Sequence, residues 1–237
     1  MTPNARSVVI VTGASRGIGA GVVTAYRSQG WAVVANARTI EAGRDAYTLP
    51  VAGDVTDPAT CDRIVAQAVE RFGRVDTLVN NAGLFLSKPF TDYTAQDYAR
   101  AVAINLTAFF HLTQRVITCM LPRQTGHIVT LTTTLVDRAD SRVPAALTAL
   151  TKGGLVAATR SLAIEYAGHG IRVNAVSPGV IRTASDDPAA YDDLAHLHPL
   201  GRIGLISDIV DGILFLETAP FITGEVLHID GGQIAGS

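Results

Sequence analysis

The sequence has little charge, no long apolar run and no leader pattern, and each shortage excludes a class of protein. Only 17% of its 237 residues are charged, and the formal net charge is −2. A balance so close to zero gives no electrostatic reason to expect nucleic-acid or anionic-membrane partners. No apolar stretch reaches the ~20 residues that span a bilayer, and no secretory signal precedes the first predicted strand. We therefore expect a cytoplasmic protein without nucleic-acid or membrane partners.

Cysteine is also scarce, which bears on disulfides and metal sites. The two cysteines, Cys61 and Cys119, form no CxxC pair and show no spacing with histidine that indicates zinc. We expect reduced thiols packed on helices and no metal site. Apolar residues make up 48% of the chain, a composition typical of an ordered globular protein.

Short apolar runs alternate with longer amphipathic ones along the whole chain. Strands are predicted at residues 8–11, 32–35, 50–52, 77–79, 127–131, 172–176 and 225–229. Helices are predicted at residues 17–29, 58–72, 95–120, 146–166 and 208–216, and an irregular polar stretch at 183–195. Alternation of this kind indicates βαβ units and a parallel sheet covered on both faces. The chain is thus predicted to fold as one α/β domain over residues 1–237, a doubly wound parallel sheet of the Rossmann type.

The turn after the first predicted strand is rich in glycine and reads TGASRGIG over residues 12–19. Glycine permits a tight turn and a close approach of the backbone to a pyrophosphate, and the helix that follows presents unpaired N–H groups to that anion. A plain strand-to-helix turn is the alternative interpretation. The candidate cofactor-binding residues of this turn are Gly13, Ser15, Arg16, Gly17, Ile18 and Gly19.

The second predicted strand lacks the acidic residue that favours NAD by binding its ribose hydroxyls. It ends instead in Asn36-Ala37-Arg38. Arg38 and Arg16 both lie near the expected position of a 2′-phosphate, and guanidinium groups bind phosphate well. The residues therefore favour NADP, with NAD possible, although two solvated surface arginines would leave the same pattern.

Several motifs, in order, resemble those of the short-chain dehydrogenase/reductase family over nearly the whole chain. They are TGASRGIG at 12–19, Asp54-Val55 after the third strand, NNAG at 80–83, Asn105, Pro178-Gly179 with Thr183, FITG at 221–224 and DGG at 230–232. The resemblance implies an oxidoreductase that binds a nicotinamide dinucleotide. It also implies further cofactor-binding residues, namely Asp54, Val55, Asn81, Ala82, Gly83, Lys152, Pro178, Gly179, Ile181 and Thr183. Members of this family usually assemble through the helices that carry Asn105 and Lys152 and through the last strand, which implies a homodimer or homotetramer.

The chain departs from the family pattern at the active site. The resemblance implies a Ser–Tyr–Lys arrangement in which Tyr precedes Lys by four residues. Lys152 matches the lysine, but Thr148 stands where the family has Tyr, and none of the six tyrosines has that spacing from a lysine. Thr133 is the best match for the serine, and Thr134 is an alternative. The candidate catalytic residues are therefore Asn105, Thr133, Thr148 and Lys152.

Loss of the tyrosine leaves the proton donor open. Carbonyl reduction needs a proton for the developing alkoxide, and a threonine hydroxyl is a far weaker acid than a phenol. A water held by Thr148 and Lys152 is one candidate. His111, Tyr93, Tyr191 and His196 are others, the last two in the stretch that resembles the family's substrate lid. In the family this lysine also binds the nicotinamide ribose, so Lys152 is explained equally well by cofactor binding.

Two functions from different classes follow. The first is an NADP(H)-dependent oxidoreductase acting on a small carbonyl or alcohol substrate, with an altered active site. The alternative is a dinucleotide-binding protein without hydride transfer, either a sensor or an inactive supporting subunit. Non-redox chemistry on the same scaffold is a third, weaker hypothesis, because a fold does not fix a function.

Overall fold

Seven short runs rich in β-branched residues form one parallel sheet in the computed structural model, which describes residues 6–41, 45–183 and 194–236. The strands are β1 (Val8–Thr12), β2 (Ala32–Ala37), β3 (Thr48–Ala52), β4 (Thr77–Asn80), β5 (Gly126–Leu131), β6 (Ile171–Pro178) and β7 (Val226–Ile229). Their order across the sheet is β3-β2-β1-β4-β5-β6-β7. Every neighbouring pair is parallel, as the alternating pattern predicts.

Helices cover both faces of the sheet. They are α1 (Gly17–Ser28), α2 (Pro58–Phe72), α3 (Ala95–Ala101), α4 (Ala108–Met120), α5 (Ala146–Tyr166) and α6 (Ile206–Thr218). Alternate residues of β1 point to opposite faces: Val8 and Ile10 pack with α2 and α4, whereas Val9 and Val11 pack with α1 and α6. The fold is therefore doubly wound around two buried apolar layers. None of the helices in the described ranges has both the length and the apolarity needed to cross a bilayer.

The long helical stretch predicted over residues 95–120 is confirmed, but its middle is not α-helical. Residues Val102–Thr107 form a π-helical segment between α3 and α4. An apolar pattern over so few residues does not distinguish a π turn from an α turn, and such segments occur mainly at functional sites. This one carries the buried Asn105.

The strand order reverses between β1 and β4, and this places the candidate site. Chain connections run outward from β1 through β2 to β3, and then from β4 in the other direction to β7. In open α/β sheets the crevice beyond the carboxyl ends of the strands, at such a reversal, is where ligands bind. The glycine-rich turn after β1 and the residues that follow β4 meet there.

Candidate cofactor and active site

The turn after β1 has the shape that the glycine pattern predicts. Gly13 and Gly17 have left-handed φ angles of 64° and 57°. A Cβ at Gly19 would lie 2.3 Å from the carbonyl oxygen of Gly13, so no larger residue fits there. Helix α1 begins at Gly17 and directs its free amide groups toward the same turn. The turn can therefore hold an anionic group against its backbone.

A hydrogen-bonded strut joins this turn to the end of β4. The Thr12 hydroxyl accepts the amides of Asn81 (3.0 Å) and Ala82 (2.9 Å). In return the Asn81 side-chain amide donates to the carbonyl of Thr12 (2.8 Å) and more weakly to that of Gly13 (3.2 Å). Asn81 thus fixes the shape of the glycine-rich turn by bonding to the backbone carbonyls of Thr12 and Gly13.

Two cationic side chains lie near the carboxyl ends of β1 and β2. Arg16 immediately precedes α1 and Arg38 follows β2; both are exposed, as is Ser15. Within the described ranges neither guanidinium makes a hydrogen bond or an ion pair with the protein. Both are therefore free to bind an anion.

The segment after β3 lies at the same edge of the sheet, since β3 is the parallel neighbour of β2. Asp54 is exposed and accepts hydrogen bonds from the amide (2.9 Å) and hydroxyl (2.8 Å) of Thr56. Val55 is buried against the core. The Asp54 carboxylate is thus held by its own turn, with its surface open to solvent.

Asn105 holds the chain that leaves β4. Its side chain accepts the amide of Leu84 (2.8 Å) and donates to the carbonyl of the same residue (3.0 Å). It also donates to the hydroxyl of Thr151 on α5 (2.9 Å). The π-helical segment, through its buried Asn105, therefore connects α5 to the segment that leaves β4.

Lys152 reaches the same point from α5. Its ammonium donates to the carbonyl of Thr132 (3.0 Å) and more weakly to that of Leu131 (3.4 Å). Burial lowers the pKa of Lys152 to about 8. A Cβ at Gly83 would lie 3.5 Å from both Lys152 Nζ and Asn105 Oδ1, so these three residues converge.

Thr148 lies one turn before Lys152 on α5, and its hydroxyl is committed to the backbone. It donates to the carbonyl of Leu86 and accepts the amide of the same residue, each at 3.0 Å. The side chain is buried. Thr148 therefore holds the segment after β4 at Leu86, much as Asn105 holds it at Leu84.

The three threonines after β5 differ in what their hydroxyls contact. Thr132 donates to the carbonyl of Val176 and Thr134 to the side chain of Gln233, each at 3.1 Å, and both are buried. Thr133 is only half-buried, and its hydroxyl has a single long contact of 3.5 Å with the amide of Leu135. Of the three, Thr133 has the hydroxyl that is most available to a ligand.

The turn after β6 closes the crevice on the other side. Strand β6 ends at Pro178, and Ile181 forms an isolated parallel bridge with Gly204. A Cβ at Gly17 would lie 3.7 Å from Cγ2 of Thr183, so Thr183 faces the glycine-rich turn across the crevice. Residues 184–193, which include Tyr191, lie outside the described residues.

Sequence comparison identifies the family of this fold. A family model described as Enoyl-(Acyl carrier protein) reductase matches residues 13–233. The 3-oxoacyl-[acyl-carrier-protein] reductase FabG of Escherichia coli (strain K12) is 35% identical over 243 residues, which cover 95% of this chain and 96% of the relative. The chain belongs to the short-chain dehydrogenase/reductase family.

Solved structures of similar proteins confirm the fold class. The structure described as ElxO with NADP bound has a TM-score of 0.91 and 28% identity, covering 98% of this chain and all of its own. A 3-ketoacyl-(acyl-carrier-protein) reductase from Brucella melitensis, complexed with NADH, has a TM-score of 0.89 and 29% identity, covering 96% and 98%. Both of these neighbours hold a nicotinamide dinucleotide.

The other candidate proton donors of this short-chain dehydrogenase/reductase lie in different places. The Tyr93 hydroxyl donates to the carbonyl of Leu86 (3.0 Å), the same oxygen that Thr148 contacts. His111 stacks edge-on against Phe110, with 5.5 Å between ring centroids, and the His196 ring contacts Arg142. Of the candidates described, Tyr93 alone reaches the segment held by Thr148.

Three residues that bond to the candidate site were not among the candidates predicted from the sequence. Thr12 forms the strut to the end of β4, Thr151 contacts Asn105, and His198 contacts the turn after β6. The position of Thr12 directly before Gly13 was a usable signal. No spacing rule signals the other two, because their partners lie 46 and 18 residues away.

Proposed function

We propose that this protein binds NADP(H) and transfers hydride between it and a small carbonyl or alcohol substrate. The observation that carries the proposal is the glycine cradle, in which a Cβ at Gly19 has no room and Thr183 faces Gly17 across the crevice. Such a cradle fits a pyrophosphate against the amino end of α1. The names of similar reductases support the same activity.

Different residues of the crevice would bind different parts of the cofactor. The amides around Gly17 would hold the pyrophosphate, and the free guanidinium groups of Arg16 and Arg38 fit a 2′-phosphate, which favours NADP over NAD. Asp54 and Val55 would border the adenine. The nicotinamide half would lie along a set of residues shared by α5, β4 and β6, namely Lys152, Ala82, Gly83, Pro178, Gly179, Ile181 and Thr183. When bound, the nicotinamide ring supplies or accepts the hydride.

We propose that Lys152 is the proton donor and that the hydroxyl of Thr133 orients the substrate oxygen. Two of the three ammonium protons of Lys152 bond to backbone carbonyls, so a third is left to donate to a water or to the substrate. A pKa of about 8 keeps this group mostly protonated at pH 7 yet able to release its proton. Thr133 has the available hydroxyl of the threonine run. The hydroxyl of Thr148, which stands where the family has tyrosine, positions Leu86.

The chain has only two lysines, and this allows a matched test. Purified protein is mixed with NADPH and a panel of small ketones and aldehydes, and absorbance of the reduced nicotinamide is followed. We expect turnover in the wild type, loss of at least about 100-fold in Lys152→Met because general acid catalysis is removed, and little change in Lys88→Met. Lys88 is ion-paired with Asp97 and serves as the control.

NADPH binding is measured alongside the assay by adding NADPH to the protein and following protein fluorescence. Binding without turnover of any compound in the panel would contradict the oxidoreductase and favour a protein that binds the dinucleotide without hydride transfer. Absence of binding to folded protein would overturn both.

A further inference from the structure

His198 is a buried titratable side chain that the proposed chemistry does not use. It follows the short 3₁₀ helix Ala195–Leu197, and only 2% of its surface is exposed. Its Nε2 atom accepts the backbone amide of Val180 at 3.1 Å. The ring therefore acts as the hydrogen-bond partner of the turn that follows β6.

The ring is wedged between two turns at the carboxyl ends of β6 and β7. A Cβ at Gly179 would lie 2.7 Å from His198 Nε2, and one at Gly231 would lie 3.2 Å from its Cβ. A side chain at Gly179 or Gly231 would crowd His198, and glycine leaves that space free because it has no side chain. Any change in the ring is transmitted directly to the backbone of residues 179–181.

The contact with Val180 fixes the protonation state of the ring. Because Nε2 accepts a hydrogen bond, the proton of the neutral ring lies on Nδ1, which is buried near the carbonyls of Leu194 and Ala195 without a hydrogen bond of ordinary geometry. Burial lowers the pKa of His198, which outweighs the opposing effects of the Leu194 carbonyl and the Asp230 carboxylate, and Arg202 lowers it further. The neutral form of His198 is thus favoured.

The other charged or titratable side chains that line the cavity beside His198 are Asp230, Arg202, Asp208, His228 and Asp211, and Asp211 makes no hydrogen bond or ion pair among the described residues. Asp230 accepts the amides of Gly232 and Ile234, and Arg202 is ion-paired with Asp208. On β7, His228 contacts Asp137. His198 is therefore the titratable group in contact with the turn after β6.

We propose that His198 is a positioning residue that holds the backbone of residues 179–181 in the conformation that receives the nicotinamide end of the cofactor. The inference rests on the proposed binding of NADP(H). Nε2 can accept the hydrogen bond of the Val180 amide only while the ring is neutral. Protonation in acid puts a second donor opposite that amide, and the turn loses its support.

Two substitutions separate the role of His198 as a hydrogen-bond acceptor from its role as a titratable group. His198→Gln keeps a neutral acceptor that does not titrate, whereas His198→Leu leaves the Val180 amide without a partner. We expect the Kd for NADPH at pH 7.5 to rise about three- to tenfold in His198→Leu and less than twofold in His198→Gln. His169→Gln, at an exposed position, is the control and should match the wild type.

The pH dependence of binding provides the second readout. Between pH 7.5 and 5.5 the wild type should lose affinity more steeply than His198→Gln. The 2′-phosphate of NADPH also titrates near pH 6, but it does so equally with every variant, so the difference between variants isolates His198. Ring ¹⁵N shifts of the cofactor-free protein should show Nδ1–H with an unprotonated Nε2 at pH 7.5.

The outcomes distinguish this inference from the proposed function. NADPH binding that is equal in the wild type and His198→Leu, or an Nε2–H tautomer in the ring spectrum, overturns the role of His198 and leaves the cofactor in place. No NADPH binding by folded wild type overturns the proposed function itself. If His198→Leu fails to fold, the comparison of wild type with His198→Gln across pH still decides.

Discussion

At the scale of single residues, two side chains hold the segment after β4 by its backbone. Asn105 bonds both the amide and the carbonyl of Leu84, and Thr148 does the same for Leu86. Alternate residues of an extended segment direct these groups to the same side, so one row of buried side chains can satisfy both. The threonine at position 148 thus has a structural role that a phenol of different length and shape could not fill in the same place.

Replacing Thr148 by valine tests this role. Valine has the same shape but cannot bond to Leu86, so the half-buried amide of Leu86 loses its partner and its carbonyl keeps only the hydroxyl of Tyr93. We expect a loss of about 1–3 kcal/mol in the free energy of unfolding, measured by urea denaturation. Thr148→Ser keeps the hydroxyl and should lose less than half as much. Equal stabilities for Thr148→Val and wild type would show that the hydroxyl does not hold the segment.

The site was predictable from the sequence only where its residues belong to motifs. Gly13, Gly17 and Lys152 were found because local spacing and family resemblance mark them. The bonds from Thr148 to Leu86 span 62 residues, and their geometry depends on how α5 packs on the sheet. No local pattern encodes such a contact, so sequence reasoning predicted a hydroxyl directed to a ligand where the structure has one bonded to the backbone.

At the scale of elements, a buried polar cluster joins the two helices on one face of the sheet, α1 and α6, to the amino-terminal parts of the strands. Glu217 on α6 accepts hydrogen bonds from Tyr26 on α1 (2.8 Å) and Thr77 on β4 (3.0 Å). Its carboxylate also lies 3.1 Å from Nδ1 of His127 on β5, whose Nε2 contacts Asn174 at 3.1 Å. This cluster lies at the opposite end of the sheet from the cofactor crevice and holds the helices in place.

Removing the charge of Glu217 should destabilise the fold. Burial opposes ionisation of this carboxyl, but bonds from His127, Tyr26 and Thr77 outweigh it and hold its pKa below the ordinary value. Glu217→Gln weakens these charge-assisted bonds, so we expect a loss of about 1.5–3 kcal/mol at pH 7.5 by urea denaturation. Glu70→Gln, at an exposed site on α2, should change stability by less than about 0.5 kcal/mol.

The same cluster makes stability depend on pH. Burial lowers the pKa of His127, and the pKa of Glu217 is also lowered. A group with a depressed pKa in the folded state stabilises the fold above its unfolded pKa and loses that effect as pH falls. Stability should therefore decline as pH falls below about 6.5, the ordinary pKa of histidine, and less steeply in His127→Asn. Parallel pH profiles for the two proteins would contradict this assignment.

At the scale of the whole molecule, the alternation of apolar runs was sufficient to predict the sheet. All seven strands were predicted within two residues of their observed ends, because buried parallel strands are short and largely apolar. The π-helical segment was missed because it depends on the tertiary bonds of Asn105. The topology also places the crevice, since the reversal between β1 and β4 follows from the strand order.

The surface of α4 and α5 carries apolar side chains that an isolated chain leaves in water. Phe110, Leu150 and Ile164 are 58%, 63% and 80% exposed. Leu150 and Ile164 are 14 residues apart on α5, close to four helical turns, so they share one face. The exposed positions between them include the small residues Gly154, Ala157 and Ser161, which permit the close approach of another helix, and Arg160 lies beside them. These features support assembly of copies through α4 and α5.

We therefore expect a homodimer or homotetramer, and a charge on this face should weaken it. Ile164→Glu buries a carboxylate where the partner helix would pack, which costs more than the ~1.5–3 kcal/mol gained by burying isoleucine and weakens association by at least about tenfold. Sedimentation velocity from 0.1 to 50 μM measures the shift. Val69→Glu, on the exposed side of α2, is the matched control and should assemble as the wild type does. A wild-type monomer throughout that range, or equal assembly of Ile164→Glu and Val69→Glu, would exclude this face as the interface, because only association through α4 and α5 makes the two substitutions differ.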